Sequence, residues 1–98
     1  MHYTYFIKSL RNGDIYVGST STTPEQRLRQ HNEGTNSYTS ANKPFKLIYY
    51  EEYYCLTDAR KRELYYKSGL GKQIKIIIVE YMEKISRQVS SVGRAAVS

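Results

Sequence analysis

Cysteine and histidine are scarce in this chain, and their scarcity removes whole classes of chemistry. One cysteine, Cys55, leaves no internal disulfide framework and no cysteine-based zinc site. Two histidines, His2 and His31, cannot build a zinc centre by themselves. Long apolar runs are missing as well; the longest, Ile76 to Val79, is far too short to span a membrane. Met1 to Ile7 lacks the basic-then-apolar pattern of a signal peptide, so a soluble, cytoplasmic protein with no membrane partner is expected. No Lys/Arg-Gly-Phe/Tyr-Gly/Ala-Phe-Val string supports an RRM-like RNA binder.

What remains is basic and rich in tyrosine. The 98 residues make one small domain with one modest core, carry a formal charge of +6 and include 11 tyrosines. Positive charge attracts a polyanion and flat rings stack on its bases, so nucleic acid is the partner this composition fits.

Two β-rich segments, Tyr3 to Leu10 and Ile15 to Gly18, flank Arg11-Asn12-Gly13-Asp14. Asn12-Gly13 suits a two-residue type I′ hairpin turn, which would pair Arg11 with Asp14 and Ser9 with Tyr16. Side chains alternate along a strand, so Tyr5, Ile7, Tyr16 and Gly18 then share one face. That register leaves Tyr5 and Tyr16 about 13 Å apart along the strands. A longer loop, shifting the pairing by two, would bring them together.

Thr23-Pro24-Glu25-Gln26 reads as a helix start, with Thr23 as N-cap, Pro24 in the first helical position and Gln26 completing a capping box. The helix is expected to reach Glu33 and stop at Gly34, with Arg27 and His31 on one face. Gly34 to Pro44 reads as a polar loop and Phe45 to Tyr54 as an alternating third strand. A second helix is expected from Thr57 as cap and Asp58 in the first turn, carrying Glu63 and ending near Gly69 or Gly71. The stripe Ile74, Ile77, Ile78, Tyr81 and Ile85 makes Lys72 to Ile85 a third helix. Ser86 to Ser98 has no acidic residue, no aromatic and no period, and reads as a disordered tail.

Hydrolysis of a phosphodiester needs an in-line water, a proton acceptor, and positive charge on the phosphate and leaving oxygen. Glu63 is a single carboxylate of the kind that holds Mg²⁺, which keeps most of its waters. Arg27 offers two parallel donors to phosphate oxygens. His31, one turn on, can bond the phosphate or help move a proton. A tyrosine base is the demanding part, because only about a thousandth of an ordinary tyrosine is ionised at neutral pH. Lys67, one turn after Glu63, and Lys8, close to Tyr5 in sequence, are candidate cationic helpers.

Tyr3-Thr4-Tyr5, Tyr16-Val17-Gly18, Arg27, His31-Asn32-Glu33-Gly34, Lys43 to Glu51 and Ala59 to Glu63 follow one another in an order that resembles the GIY-YIG nuclease superfamily, in its small stand-alone bacterial form. Two departures are evident. The first half-motif lacks its glycine, and the asparagine that some members place near the domain end has no counterpart. The resemblance implies an α+β fold over residues 1–85, a small three-stranded antiparallel sheet flanked by about three helices, with 86–98 as the tail. It implies Tyr5 as general base, Tyr16 positioning water or phosphate, Arg27 on the scissile phosphate, His31 assisting, and Glu63 holding Mg²⁺ or Mn²⁺. Arg27, Lys67 and Lys8 are the expected nucleic-acid contacts. The implied activity is a metal-dependent endonuclease on DNA, branched or damaged substrates included and RNA left open. Without an appended recognition domain, cutting is expected to follow structure rather than sequence. The alternative is a non-catalytic DNA- or RNA-binding module on the same fold, and no protein partner is implied.

Overall fold

β-Branched and aromatic residues dominate two segments near the N-terminus, and both are strands: β1 is His2–Ser9 and β2 is Ile15–Thr20. In the computed structural model, which describes residues 1–34 and 37–88, they pair antiparallel, and β3 (Phe45–Tyr53) pairs antiparallel with the other side of β1. The order β2-β1-β3 leaves β2 on an edge. Around this sheet lie α1 (Pro24–Asn32), the single-turn α2 (Ser37–Ser40), α3 (Leu56–Lys67) and α4 (Gly69–Gln88). The α+β class and the three-stranded antiparallel sheet are as expected, and three long helices flank it. Among the described residues no helix is long and apolar enough to cross a membrane.

Alternation along β1 sends its side chains into two separate cores. Phe6 packs with Val17, Tyr66 and Val79, between the sheet and α3 and α4. Tyr5 and Ile7 pack with Phe45 and with Leu28 of α1 on the other face. Buried Thr4 donates its hydroxyl to the Ala59 carbonyl at 2.6 Å and so ties β1 to the first turns of α3.

The hairpin register differs from the two-residue turn in the way that matters for function. Ser9 N–H bonds the Asp14 carbonyl, and the loop holds the four residues Leu10 to Gly13. The cause is local: the Ser9 hydroxyl accepts from the N–H groups of Arg11 and Asn12, and the Asn12 side chain accepts from Asp14 N–H. Gly13, at φ +81°, supplies the one left-handed residue this loop needs. The pairing shifts by two, so that Tyr5 faces Gly18 and Ile7 faces Tyr16.

Elsewhere the differences are ones of boundary and of bulge. Phe6 pairs with Tyr49 and Ile7 with Leu47, which leaves Ile48 as an extra residue on β3. The expected uninterrupted alternation therefore breaks there. Leu47 packs beside Tyr5 and Ile7, whereas Tyr49, only two residues on, joins Phe6 on the opposite face. The polar loop before β3 contains α2, too short to show a period. The N-cap of α3 lies two residues before the expected cap at Thr57; it is Cys55, which makes no side-chain capping bond. Helix α3 ends at Lys67, near Gly69 as expected, and Gly69 and Gly71 themselves open α4. A Cβ on Gly71 would overlap the Tyr65 carbonyl, so the glycine permits the tight corner between the two helices. Helix α4 runs through Gln88, past the expected tail boundary at Ser86, and residues 89–98 of that tail lie outside the described residues.

Candidate active site

The shifted register brings the two tyrosines together on the α1 face of the sheet. Tyr5 lies directly opposite Gly18, with Tyr16 on the adjacent diagonal, where neighbours are about 7–8 Å apart. Gly18 has no side chain to block the Tyr5 ring; a Cβ there would sit 2.5 Å from the Tyr5 hydroxyl. The glycine of Tyr16-Val17-Gly18 is thus required for space.

Helix α1 supplies Arg27 and His31 from one face. Thr23 caps it by accepting from Gln26 N–H, and Pro24 fills the first turn. The other end is held by Asn32, whose side-chain amide both donates to the Phe45 carbonyl and accepts from Phe45 N–H. That double bond sets where His31 sits. His31 is completely buried, with Nε2 2.8 Å from the Tyr5 hydroxyl and Nδ1 2.8 Å from the Thr39 hydroxyl. Its ring meets the Tyr16 ring edge-on at 5.1 Å. Both ring nitrogens of His31, which the sequence suits to bonding the phosphate or helping to move a proton, are engaged within the protein, one of them with Tyr5.

Burial, and next the Arg27 charge, lower the His31 pKa to about 4, so the imidazole is neutral at neutral pH. Burial likewise pushes Tyr5 up to about 12, against the hydrogen bond and charge of Arg27, with Tyr16 and Glu63 adding to the rise. At neutral pH, then, a protonated Tyr5 meets a neutral imidazole. In the tautomer that donates Nδ1–H to Thr39, Nε2 accepts from the Tyr5 hydroxyl; in the other tautomer both directions reverse.

Glu63 approaches from α3, on the opposite face, around the β2 edge. Ser19 of β2 donates to Glu63 Oε1 at 2.6 Å, and Lys67 Nζ stands 2.6 Å from Oε2. The Lys67 ammonium also lies 5.9 Å from the Tyr16 ring centre. Arg27 donates to Gln30 Oε1 at 2.6 Å and acts on Tyr5 by hydrogen bond and charge. Tyr5, Tyr16, Arg27, His31, Glu63 and Lys67 therefore converge. Lys8 does not: it points to the other face and pairs with Glu83 of α4 at 2.5 Å. Alternation puts residues 5 and 8 on opposite sides, which closeness in sequence disguises.

Three contributors were not singled out from the sequence. Thr39 lay in an aperiodic loop, Ser19 in a strand end, and the clamp formed by Asn32 depends on a partner 13 residues away. Among the described residues no three His, Cys, Asp or Glu side chains cluster to cage a metal. A lone half-buried carboxylate beside a tyrosine pair fits Mg²⁺, which takes one or two protein oxygens and completes its shell with water and phosphate.

Fold and site together define a small α+β domain with a tyrosine-based polar centre on a sheet edge. Residues 1–84 match the GIY-YIG catalytic domain family, and the chain belongs to it. It is 33% identical over 78 residues to a UPF0213 protein of Staphylococcus saprophyticus, an overlap covering 78% of this chain and 93% of that one. A UPF0213 protein of Clostridium perfringens is 35% identical over 68% of this chain and 71% of its own length. One of Enterococcus faecalis is 35% identical over 74% and 83% respectively. No solved structure matches the chain.

Proposed function

We propose that this protein is a metal-dependent endonuclease that hydrolyses phosphodiester bonds in DNA, directed by substrate structure rather than sequence. The observation carrying it is the buried Tyr5–His31 hydrogen bond, with Arg27, Tyr16 and Glu63 all close enough to act on the Tyr5 hydroxyl. In this reading Tyr5 takes the proton of the attacking water while passing its own to His31 Nε2, so that no free tyrosinate is needed. Thr39, by accepting from Nδ1–H, would hold the imidazole in the tautomer whose Nε2 can accept. Arg27 grips the scissile phosphate and Tyr16 orients water or phosphate. Glu63 would hold Mg²⁺ or Mn²⁺, and the metal supplies charge neutralisation at the phosphate. Lys67, now seated on Glu63, would turn to the phosphate once a divalent ion takes its place.

One observation favours the alternative, a nucleic-acid-binding module without catalysis. Tyr5 is only 1% exposed, and its raised pKa makes it hard to ionise. A single assay separates the two: branched, nicked and linear DNA with Mg²⁺ or EDTA, using wild type and Glu63→Ala. Cleavage requiring both metal and Glu63 supports the enzyme. Metal-independent binding with no product on any substrate supports the module. Arg27→Ala should depress cleavage far more than binding, since one phosphate contact among several matters little to affinity.

A further inference from the structure

The β2 edge opens into a groove of about 520 Å³ lined by Ile15, Tyr16, Val17, Lys67, Lys72 and Lys75. Tyr16 and Lys67 belong to the proposed site, whereas Lys72 and Lys75 play no part in it. The corner at Gly71 brings α4 against the last turn of α3, and this places lysines from both helices on one wall. Lys72 and Lys75 are three residues apart on α4 and so share a face. Lys67 has Glu63 beside it, but among the described residues neither Lys72 nor Lys75 has a carboxylate within 4.0 Å. Burial, and then the charges of Lys72 and Lys67, hold the Lys75 ammonium below its usual pKa. Like charges gathered without counter-ions oppose folding unless an anion compensates them.

We propose that this groove is a strand channel, which takes the sugar–phosphate backbone of a nucleic acid next to the scissile phosphate. Lys72 and Lys75 contact successive flanking phosphates, and the partly exposed Ile15 gives an apolar surface to the sugars. The direction of the strand, leading towards Tyr5 and Glu63, rests on the nuclease reading. The anion-binding role of the two lysines does not.

The test is a salt titration of binding by fluorescence anisotropy in EDTA, with fluorescein-labelled single-stranded and duplex oligonucleotides of mixed sequence. Each neutralised phosphate contributes about 0.7 to the slope of log K against log salt for a single strand and about 0.9 for a duplex. Lys72→Gln/Lys75→Gln should therefore lower the slope by about 1.4 on single strands, or about 1.8 on a duplex. The form on which the fall reaches its full expected value is the one the channel takes. Lys46→Gln/Lys84→Gln removes the same charge from exposed positions away from this groove and should leave the slope nearly unchanged. Circular dichroism melts check that all variants fold. Equal falls for both pairs, no fall for the groove pair, or no binding by wild type at low salt would each overturn the channel. Cleavage of the same oligonucleotides with Mg²⁺ reports separately on the nuclease. A protein that cuts while its slope ignores Lys72 and Lys75 loses the channel alone. One that never cuts but loses slope keeps the channel as a binding surface and loses the nuclease reading.

Discussion

At Gly18 a Cβ would stand 2.5 Å from the Tyr5 hydroxyl and 3.2 Å from a Tyr16 ring carbon. The Tyr5 hydroxyl cannot retreat freely, because it is held to buried His31. Gly18→Ala is therefore expected to displace Tyr5 at a cost of about 1–3 kcal/mol, the range for overpacking a filled interior. Gly69 is the matched control: a Cβ there meets nothing within 4 Å, so Gly69→Ala should be neutral or stabilise by up to about 1 kcal/mol. Thermal melts of the two variants check the contrast, and equal losses would show that the crowding at Gly18 is not real. His31 carries a pH signature of its own. The unfolded chain protonates this residue near pH 6.5, whereas the folded protein resists until about pH 4, so stability falls as pH drops through that interval. Tyr5, Tyr16, Phe45 and Thr39 surround the ring and Arg27 adds positive charge, and among the described residues no carboxylate is seen to offset the loss. Going from pH 7 to pH 5 should cost about 2 kcal/mol. Urea unfolding at the two pH values should show this in wild type and lose it in His31→Gln; identical pH dependence in both would assign the effect to another group.

Helix α1 is an element whose sequence and position speak to different readers. Its start was legible from Thr23-Pro24, because capping is local, and so was the shared face of Arg27 and His31. Its docking was not legible, since the Asn32 amide bonds the backbone of Phe45, far along the chain. Asn32→Ala would leave both Phe45 backbone groups without that partner, and should cost about 2–3 kcal/mol while loosening His31. A melt together with the amide exchange rate of Phe45 checks it; slow exchange preserved in the variant would contradict the clamp. The same division between local and distant causes explains the hairpin. Asn12-Gly13 marks a turn, but the Ser9 hydroxyl draws two N–H groups into the loop and so shifts the register by two. Ile48 offers no comparable local sign, because its bulge arises from fitting β3 to β1. The face of each tyrosine was thus readable, whereas the distance between them depended on one serine.

Across the whole molecule the site is assembled from opposite layers: Arg27 and His31 come from beneath the sheet, Glu63 from the α3 layer above it. Its geometry depends on that upper layer staying in place, and Glu51 of β3 does much of the fastening. Oε1 accepts from Tyr53 at 2.5 Å and from Arg62 at 3.1 Å; Oε2 accepts from Tyr49 at 2.7 Å and from Tyr66. Burial alone would raise the Glu51 pKa, but the three hydroxyls and Arg62 outweigh it and hold the carboxyl below its usual range. Its contribution is therefore present at neutral pH and is lost as pH falls through the carboxylate range. Glu51→Gln replaces one oxygen by an NH₂ that cannot accept, which strands two of the four donors. With Arg62 partly exposed, the cost should be about 2 kcal/mol rather than the larger figure for a sealed ion pair, or roughly 10 °C in Tm for a domain of this size. Glu51 touches none of the residues proposed to bind substrate, so cleavage by the variant should stay near wild type below its new midpoint and disappear together with its folded state. Parallel melts and cleavage assays over temperature decide this. A variant that loses cleavage while its Tm is unmoved would mean that Glu51 acts on the site directly, and that the two layers are not joined in the way its four hydrogen bonds imply.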